Sequence, residues 1–369
     1  MVDIVNKIVM IDSELEDFYS NDDIYNFNSW GADLSFRELI DRYKNNELLK
    51  PELQRNYVWD KTEASRFIDS ILLKLPVPSI FLAKEKDETL LIIDGYQRLM
   101  TVYDYVTGIF SQDKKVFKLS KSNKINNRWR GKAFSELTET EQRRIRNTTI
   151  HAIIFVQTHP DNNDTGLYQV FERINTSGRT LLPQEIRNCV YQGKMNSFLI
   201  ELNKNTTWRK LFGTKNPDIR MRDIEFILRF LAMKNMDFDK IQEKSISLKK
   251  ELNLFMGSDA NKSDKELDRI GQIFIDTIEK VFSLFGKAAF HNISKTNPDK
   301  MVSKFNPTIF DSIMLSIADI KKVDIKNADL KKLNLLKDEI YQDAISIRTT
   351  NIDKIKKRIS LVNKYIFGQ

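Results

Sequence analysis

Cysteine is almost missing from this chain: Cys189 is the single one in 369 residues. One thiol cannot close an internal disulfide, which fits a reducing compartment, so the expectation is a cytoplasmic protein with Cys189 as a small core residue. Histidine is nearly as scarce. His151, His159 and His291 are scattered, and no Cys/His or His-x-x-x-His spacing offers a metal site. No Gly-x-x-x-x-Gly-Lys-[Ser/Thr] segment occurs, which excludes a P-loop. Long apolar runs are lacking as well. Stretches such as Ser79-Ile80-Phe81-Leu82-Ala83 fall far short of the ~20 residues needed to cross a bilayer. The start, Met1-Val2-Asp3-Ile4, carries an acid early and lacks a signal-peptide apolar region. There is no internal repeat and no low-complexity tract.

What is present suits a soluble globular protein. Hydrophobic residues make up 41% of the chain and charged residues 30%, enough to bury a core. The length suggests two domains at roughly 100–200 residues each. A net charge of +8 and a pI near 9.2 suit a polyanionic partner such as nucleic acid, although most of the basic residues are interspersed with acids.

The order of elements is legible in outline. Residues 1–30 are mixed and acidic and read as a loosely attached leading segment. From Asp33, LSFRELIDRYKNNEL reads as a helix with Leu34, Leu39, Ile40 and Tyr43 on one side. Asp60 with Glu63 forms a capping box for a helix striped by Phe67, Ile68, Ile71 and Leu72, which Pro76 and Pro78 end. Strands follow at 79–83 and 89–93, then a helix carrying Leu99, Val102, Tyr103 and Val106. A Lys- and Asn-rich connection spans 111–135. Thr138 with Glu141 caps another helix, HAIIFVQ from His151 is a buried strand, and LYQVFERIN is a helix ending in the turn Asn175-Thr176-Ser177-Gly178. Helical periodicity then dominates. The spacing predicts an α/β domain over 31–196 and an all-α domain over 197–369.

Three constellations can carry chemistry. In Asp94-Gly95-Tyr96-Gln97-Arg98 a buried strand turns abruptly into a helix. The first turn of a helix offers N–H groups and partial positive charge to phosphate, Gly95 permits close approach, and Arg98 is a forked donor. Asp94 can hold a metal, orient a water or act as base, and Gln97 can position the water. The plainer reading is a tight turn whose Asp pairs with Arg98. The second constellation, Gln54-Arg55-Asn56-Tyr57-Val58-Trp59, combines donors with stacking surface, as nucleotide recognition does. Its alternative is that Tyr57 and Trp59 pack in the core. The third, Arg173-Ile174-Asn175 with Gln184-Glu185-Ile186-Arg187, frames a tight polar turn able to bind an anion, or simply a capped link between two helices.

Taken in this order, and with Ser70 and Pro76-Val77-Pro78 between the first two, these residues resemble the N-terminal domain family of GmrSD-type restriction endonucleases. The resemblance covers about residues 31–196. It implies a ParB/sulfiredoxin-like fold, so the expected class is α+β with a helical domain behind it. It implies a nucleotide-binding and hydrolysis site made of Asp94, Gly95, Gln97 and Arg98 with Gln54 and Arg55 beside it. The wider expected contact set adds Tyr57, Trp59, Arg173, Asn175 and Arg187, with an NTP and Mg²⁺ as cofactors. Tyr96 departs from the family, which usually has Gln there, and can instead stack on a base. The family's downstream His-Asn-His nuclease domain has no counterpart in these residues.

The expected function is therefore an NTP-hydrolysing sensor of foreign or modified DNA in a bacterial anti-phage system, with cleavage left to a separate nuclease or effector. The alternative is a non-catalytic ParB-like module that binds DNA or protein through its helical half. In that reading the last helix would present Lys354, Lys356, Lys357 and Arg358 opposite Ile352, Ile355, Ile359 and Val362.

Overall fold

Leu90-Leu91-Ile92-Ile93 is apolar at every position because both faces of its strand are covered. The computed structural model describes residues 8–9, 26–50, 59–85, 87–159, 165–174, 182–191, 193–257, 263–320 and 325–368. Within them, a five-stranded mixed sheet is built from β1 (Asn26–Ser35), β2 (Leu48–Leu49), β3 (Ile80–Lys84), β4 (Leu90–Asp94) and β5 (Thr149–His159). Across the sheet the order is β1-β5-β3-β4-β2. β1 runs antiparallel to β5 and β3 antiparallel to β4, whereas β3 is parallel to β5 and β2 to β4.

Successive side chains of a strand point to opposite faces, and two separate cores result. Ile80, Leu82, Leu90, Ile92, Ala152 and Ile154 face one layer, made of α1 (Phe36–Lys44), α2 (Lys61–Leu72), α3 (Tyr96–Thr107) and α4 (Glu139–Asn147). Ala83, Leu91, Ile93 and Phe155 face the other. There they meet α5 (Thr165–Ile174) and α6 (Pro183–Val190) through Leu167, Tyr168, Phe171, Ile186 and Cys189. The same apolar cluster runs without a break through the remaining helices as far as Ile366. Those helices are α7 (Lys194–Asn203), α8 (Thr206–Phe212), α9 (Arg222–Lys234), α10 (Leu248–Gly257), α11 (Asp264–Phe285), α12 (Pro307–Ala318), α13 (Ala328–Lys337), α14 (Glu339–Ser346) and α15 (Ile352–Val362). Each fully buried Leu, Ile or Phe contributes about 1.5–3 kcal/mol relative to exposure, so both faces stabilise the sheet strongly.

Three expectations need correction. Residues 26–30, expected in the loose leading segment 1–30, instead belong to β1, which pairs with residues 149–159. Consequently the helix expected from Asp33 starts only at Phe36, where the Ser35 hydroxyl accepts the Glu38 N–H at 3.2 Å and ends the strand. The second half is not all helix. β6 (His291–Ile293) and β7 (Met301–Phe305) form an antiparallel hairpin, and residues 8 and 9 add a bridge to Phe305. The Phe305 ring, wedged among Trp208, Phe212, Phe226, Phe290 and Phe310, ties that hairpin to the helices. Third, Arg358 does not stand on a basic outer stripe of α15. It is 1% exposed and bonds the Asp311 carboxylate at 3.1 Å and the Thr349 carbonyl at 2.6 Å. Lys354 and Lys356 of the same helix are paired with Asp343 and Asp239. No described helix is long and apolar enough to cross a membrane.

Candidate functional site

β4 delivers Asp94 to the edge of the sheet and the chain then reverses into α3 through Gly95. Two independent facts reserve this position for glycine. Its φ is +103°, and a Cβ built there would lie 2.2 Å from Ile80 Cγ2 on the neighbouring strand. Without a side chain, Gly95 also leaves the first turn of α3 with no side-chain cap, unlike α1, α2 and α4, which Ser35, Asp60 and Thr138 cap. Among the described residues, then, no side chain caps the partial positive charge of that helix end.

Asp94 and Arg98 face each other across this turn. Arg98 Nη2 donates to Asp94 Oδ2 at 2.5 Å, with the guanidinium 13% exposed and the carboxylate 42%. Gln97 reaches back to the segment preceding α2, where the Trp59 N–H donates to its Oε1 at 3.3 Å. A backbone N–H can only donate, so this contact fixes the carboxamide's orientation, and any bond through its nitrogen is as a donor. The Trp59 ring packs edge-on against Phe67 of α2, with centroids 5.7 Å apart.

Tyr96 points inward and is 6% exposed. Burial, and then the neighbouring Tyr43 and Asp104, push its phenol well above the usual range, so it stays a neutral hydroxyl. The Lys50 ammonium lies 5.8 Å from the centre of its ring. Behind it Asp104 is buried and accepts the Ser111 N–H at 2.7 Å and hydroxyl at 2.6 Å, while burial raises its own pKa.

The third constellation divides. Arg173 is exposed on the last turn of α5. Arg187 is 2% exposed and bonds Asn253 at 2.8 Å and both Gln184 and Glu225 at 3.0 Å, bolting α6 to α9 and α10. Gln54, Arg55, Tyr57 and Asn175 lie outside the described residues. Thus Asp94, Gly95, Gln97 and Arg98 meet at one junction, and Trp59 joins them through Gln97. Lys50 was not singled out by any motif; only its position after β2, beside β4, brings it to Tyr96. Among the described residues no group of three His, Cys, Asp or Glu could hold a metal ion.

Residues 36–192 match the family model of the GmrSD restriction endonuclease N-terminal domain. That match covers a little under half of the chain. No curated protein and no solved structure matches the chain with significance. The matched span holds the whole junction of β4 and α3, the Trp59 contact, and α5 and α6. The matched span ends within the second core, which continues into the helices beyond it.

Proposed function

We propose that this chain is the nucleotide-binding and NTP-hydrolysing sensor component of a restriction-type defence system acting on foreign or modified DNA, with a separate protein as nuclease. The match to a GmrSD N-terminal domain supports the restriction context. The observation that carries the nucleotide reading is the uncapped helix start at Gly95 with Arg98 and Asp94 on either side of it. Here the first N–H groups of α3 and the Arg98 guanidinium bind phosphate oxygens, as helix starts and forked donors do. Gln97 adds N–H donors. Asp94 takes the proton of the attacking water as the bond from the terminal phosphorus to its bridging oxygen breaks.

A Mg²⁺ ion fits this donor set. It binds through one or two carboxylates together with substrate phosphates rather than in an all-protein cage, and Asp94 is the carboxylate at this junction. The ion would supply charge neutralisation for the phosphates. In this reading Trp59 stands on the base side of the site, and Gln54, Arg55, Tyr57, Arg173 and Asn175 are further nucleotide contacts. The same reading takes the domain as ParB/sulfiredoxin-like and the protein as cytoplasmic.

The test is phosphate release from the pure chain with each of the four NTPs and Mg²⁺, beside Asp94→Ala and Arg98→Ala. Loss of a catalytic base or phosphate clamp costs about 10²–10⁴-fold in rate, so both variants should fall to background. A second reading, a non-catalytic binding module, draws support from the Asp94–Arg98 pair, which satisfies both side chains within the turn itself. It predicts no turnover and nucleotide affinity equal in wild type and variants.

A further inference from the structure

Between Ser111 and Lys132 fall eight Lys and Arg and one Asp, against 51 Lys and Arg and 50 Asp and Glu in the rest of the chain. Seven of the eight net positive charges thus sit in one connection, the excursion between α3 and α4. It is not a floppy tail. Phe117 N–H bonds back to Gly108 at 2.8 Å, Leu119 N–H bonds Lys132 at 3.0 Å, and Lys118 bridges Ala133. Two residues of α2 clamp it. The Ser65 hydroxyl accepts the Ser120 N–H at 2.8 Å, and the Asp69 carboxylate accepts the Asn126 N–H at 3.1 Å and the Trp129 indole N–H at 2.5 Å. Phe110, Phe117, Leu119, Ile125 and Trp129 are all buried in the first core.

With its apolar side chains turned inward, the excursion turns its cations outward. Lys114, Lys115, Lys118, Lys121, Lys124 and Arg128 are exposed. Lys118 pairs with Glu136 at 2.8 Å, and Arg128 approaches Glu141 at 3.9 Å. The lone acid of the stretch, Asp113, is taken by Lys61 of α2 at 3.2 Å. Lys114, Lys121 and Lys124 have no carboxylate within ion-pair distance among the described residues. A chain that disperses charge elsewhere has here built a folded cationic surface with a net charge of +7 over 111–132.

We infer that the 111–132 excursion is a duplex-DNA contact that grips backbone phosphates without reading bases. Lysines spread over a series of turns present several charges to a phosphate backbone, and the short donors Ser122, Asn123 and Asn127 among them suit phosphate and sugar oxygens. A membrane surface is the poorer fit, because insertion needs a continuous apolar face, and here only Ile109 and Val116 are exposed. The inference rests on the restriction reading for its choice of DNA; its charge and geometry do not depend on nucleotide turnover.

The experiment is anisotropy of a labelled duplex of about 20 base pairs, titrated with the full chain over about 50–200 mM salt. It is run beside the combined variant Lys114→Gln, Lys115→Gln, Lys121→Gln, Lys124→Gln. Removing one phosphate contact lowers the slope of log K against log salt by about 0.9. The variant should therefore bind at least ~10-fold more weakly at low salt, with a slope shallower by up to about 3.6. All four side chains are exposed, so its circular dichroism and melting should match wild type. Equal affinity and slope would overturn the inference. So would wild type binding phosphatidylserine vesicles while ignoring the duplex. Phosphate release, followed in parallel without DNA, separates the two readings. Turnover without any binding to the duplex sinks the excursion alone. Duplex binding that the variant abolishes, with no turnover in wild type, sinks the nucleotide site alone.

Discussion

Gly95 is the residue on which the junction depends. A methyl group there would meet Ile80 and force a left-handed backbone on a residue with a Cβ. Left-handed backbone costs roughly 1–2 kcal/mol and overpacking roughly 1–3, so Gly95→Ala should lower unfolding free energy in urea by about 2–5 kcal/mol. Gly108, at the other end of α3 with φ +89° and open space around it, is the matched control, and Gly108→Ala should cost about 1–2 kcal/mol. A different residue-level dependence lies far away. The buried Asp311 carboxylate takes Arg229 at 2.7 and 2.6 Å and Arg358 at 3.1 Å. Asp311→Ala would strand two guanidinium groups away from water, and a loss of about 3–5 kcal/mol in the same assay is expected. The Asp94–Arg98 pair could be read from the sequence because its partners are one helical turn apart. The Asp311 cluster could not, since its three members come from α9, α12 and α15 and each looks, alone, like an ordinary surface charge.

At the level of elements, local signals were legible and long-range pairing was not. The capping boxes at Asp60 and Thr138 form where the sequence places them, because cap and partner are three residues apart. β1 was missed because its ladder is made with residues 149–159, and the short β6–β7 hairpin carries too little alternation to stand out from the helices around it. The helix α13 holds a feature that sequence cannot reveal. Lys332 is 1% exposed, its ammonium donates to the Ala288 carbonyl and lies 5.6 Å from the Phe285 ring, and burial lowers its pKa to about 7 against the pull of Asp329. In the unfolded chain a lysine keeps its proton to about pH 10.4. Between about pH 7 and 10 the unfolded state therefore holds more protons, and this group makes unfolding free energy rise with pH across that window. Lys332→Met removes the contribution. Urea midpoints should place the variant above wild type near pH 6, with the gap closing towards pH 10.

For the whole molecule, the second core joins the span matched by the family model to everything after it. A fragment ending at residue 196 would leave Leu167, Tyr168, Phe171 and Ile186 without their partners from α9 and α10. Such a fragment should bind the dye ANS and melt well below the full chain, whereas an independently folding unit would do neither. The sheet was legible as a layer, but not that the helices on its second face, α5 and α6, share one core with the far half of the chain. β4 belongs to both cores at once, Leu90 and Ile92 on one side, Leu91 and Ile93 on the other, with Asp94 at its tip. Opening its amides to solvent requires disrupting two packed layers together. Hydrogen–deuterium exchange along β4 should accordingly proceed only by global unfolding, leaving these among the last amides to exchange. The candidate site would then be carried by one of the least mobile stretches of the chain, held in position before any ligand arrives.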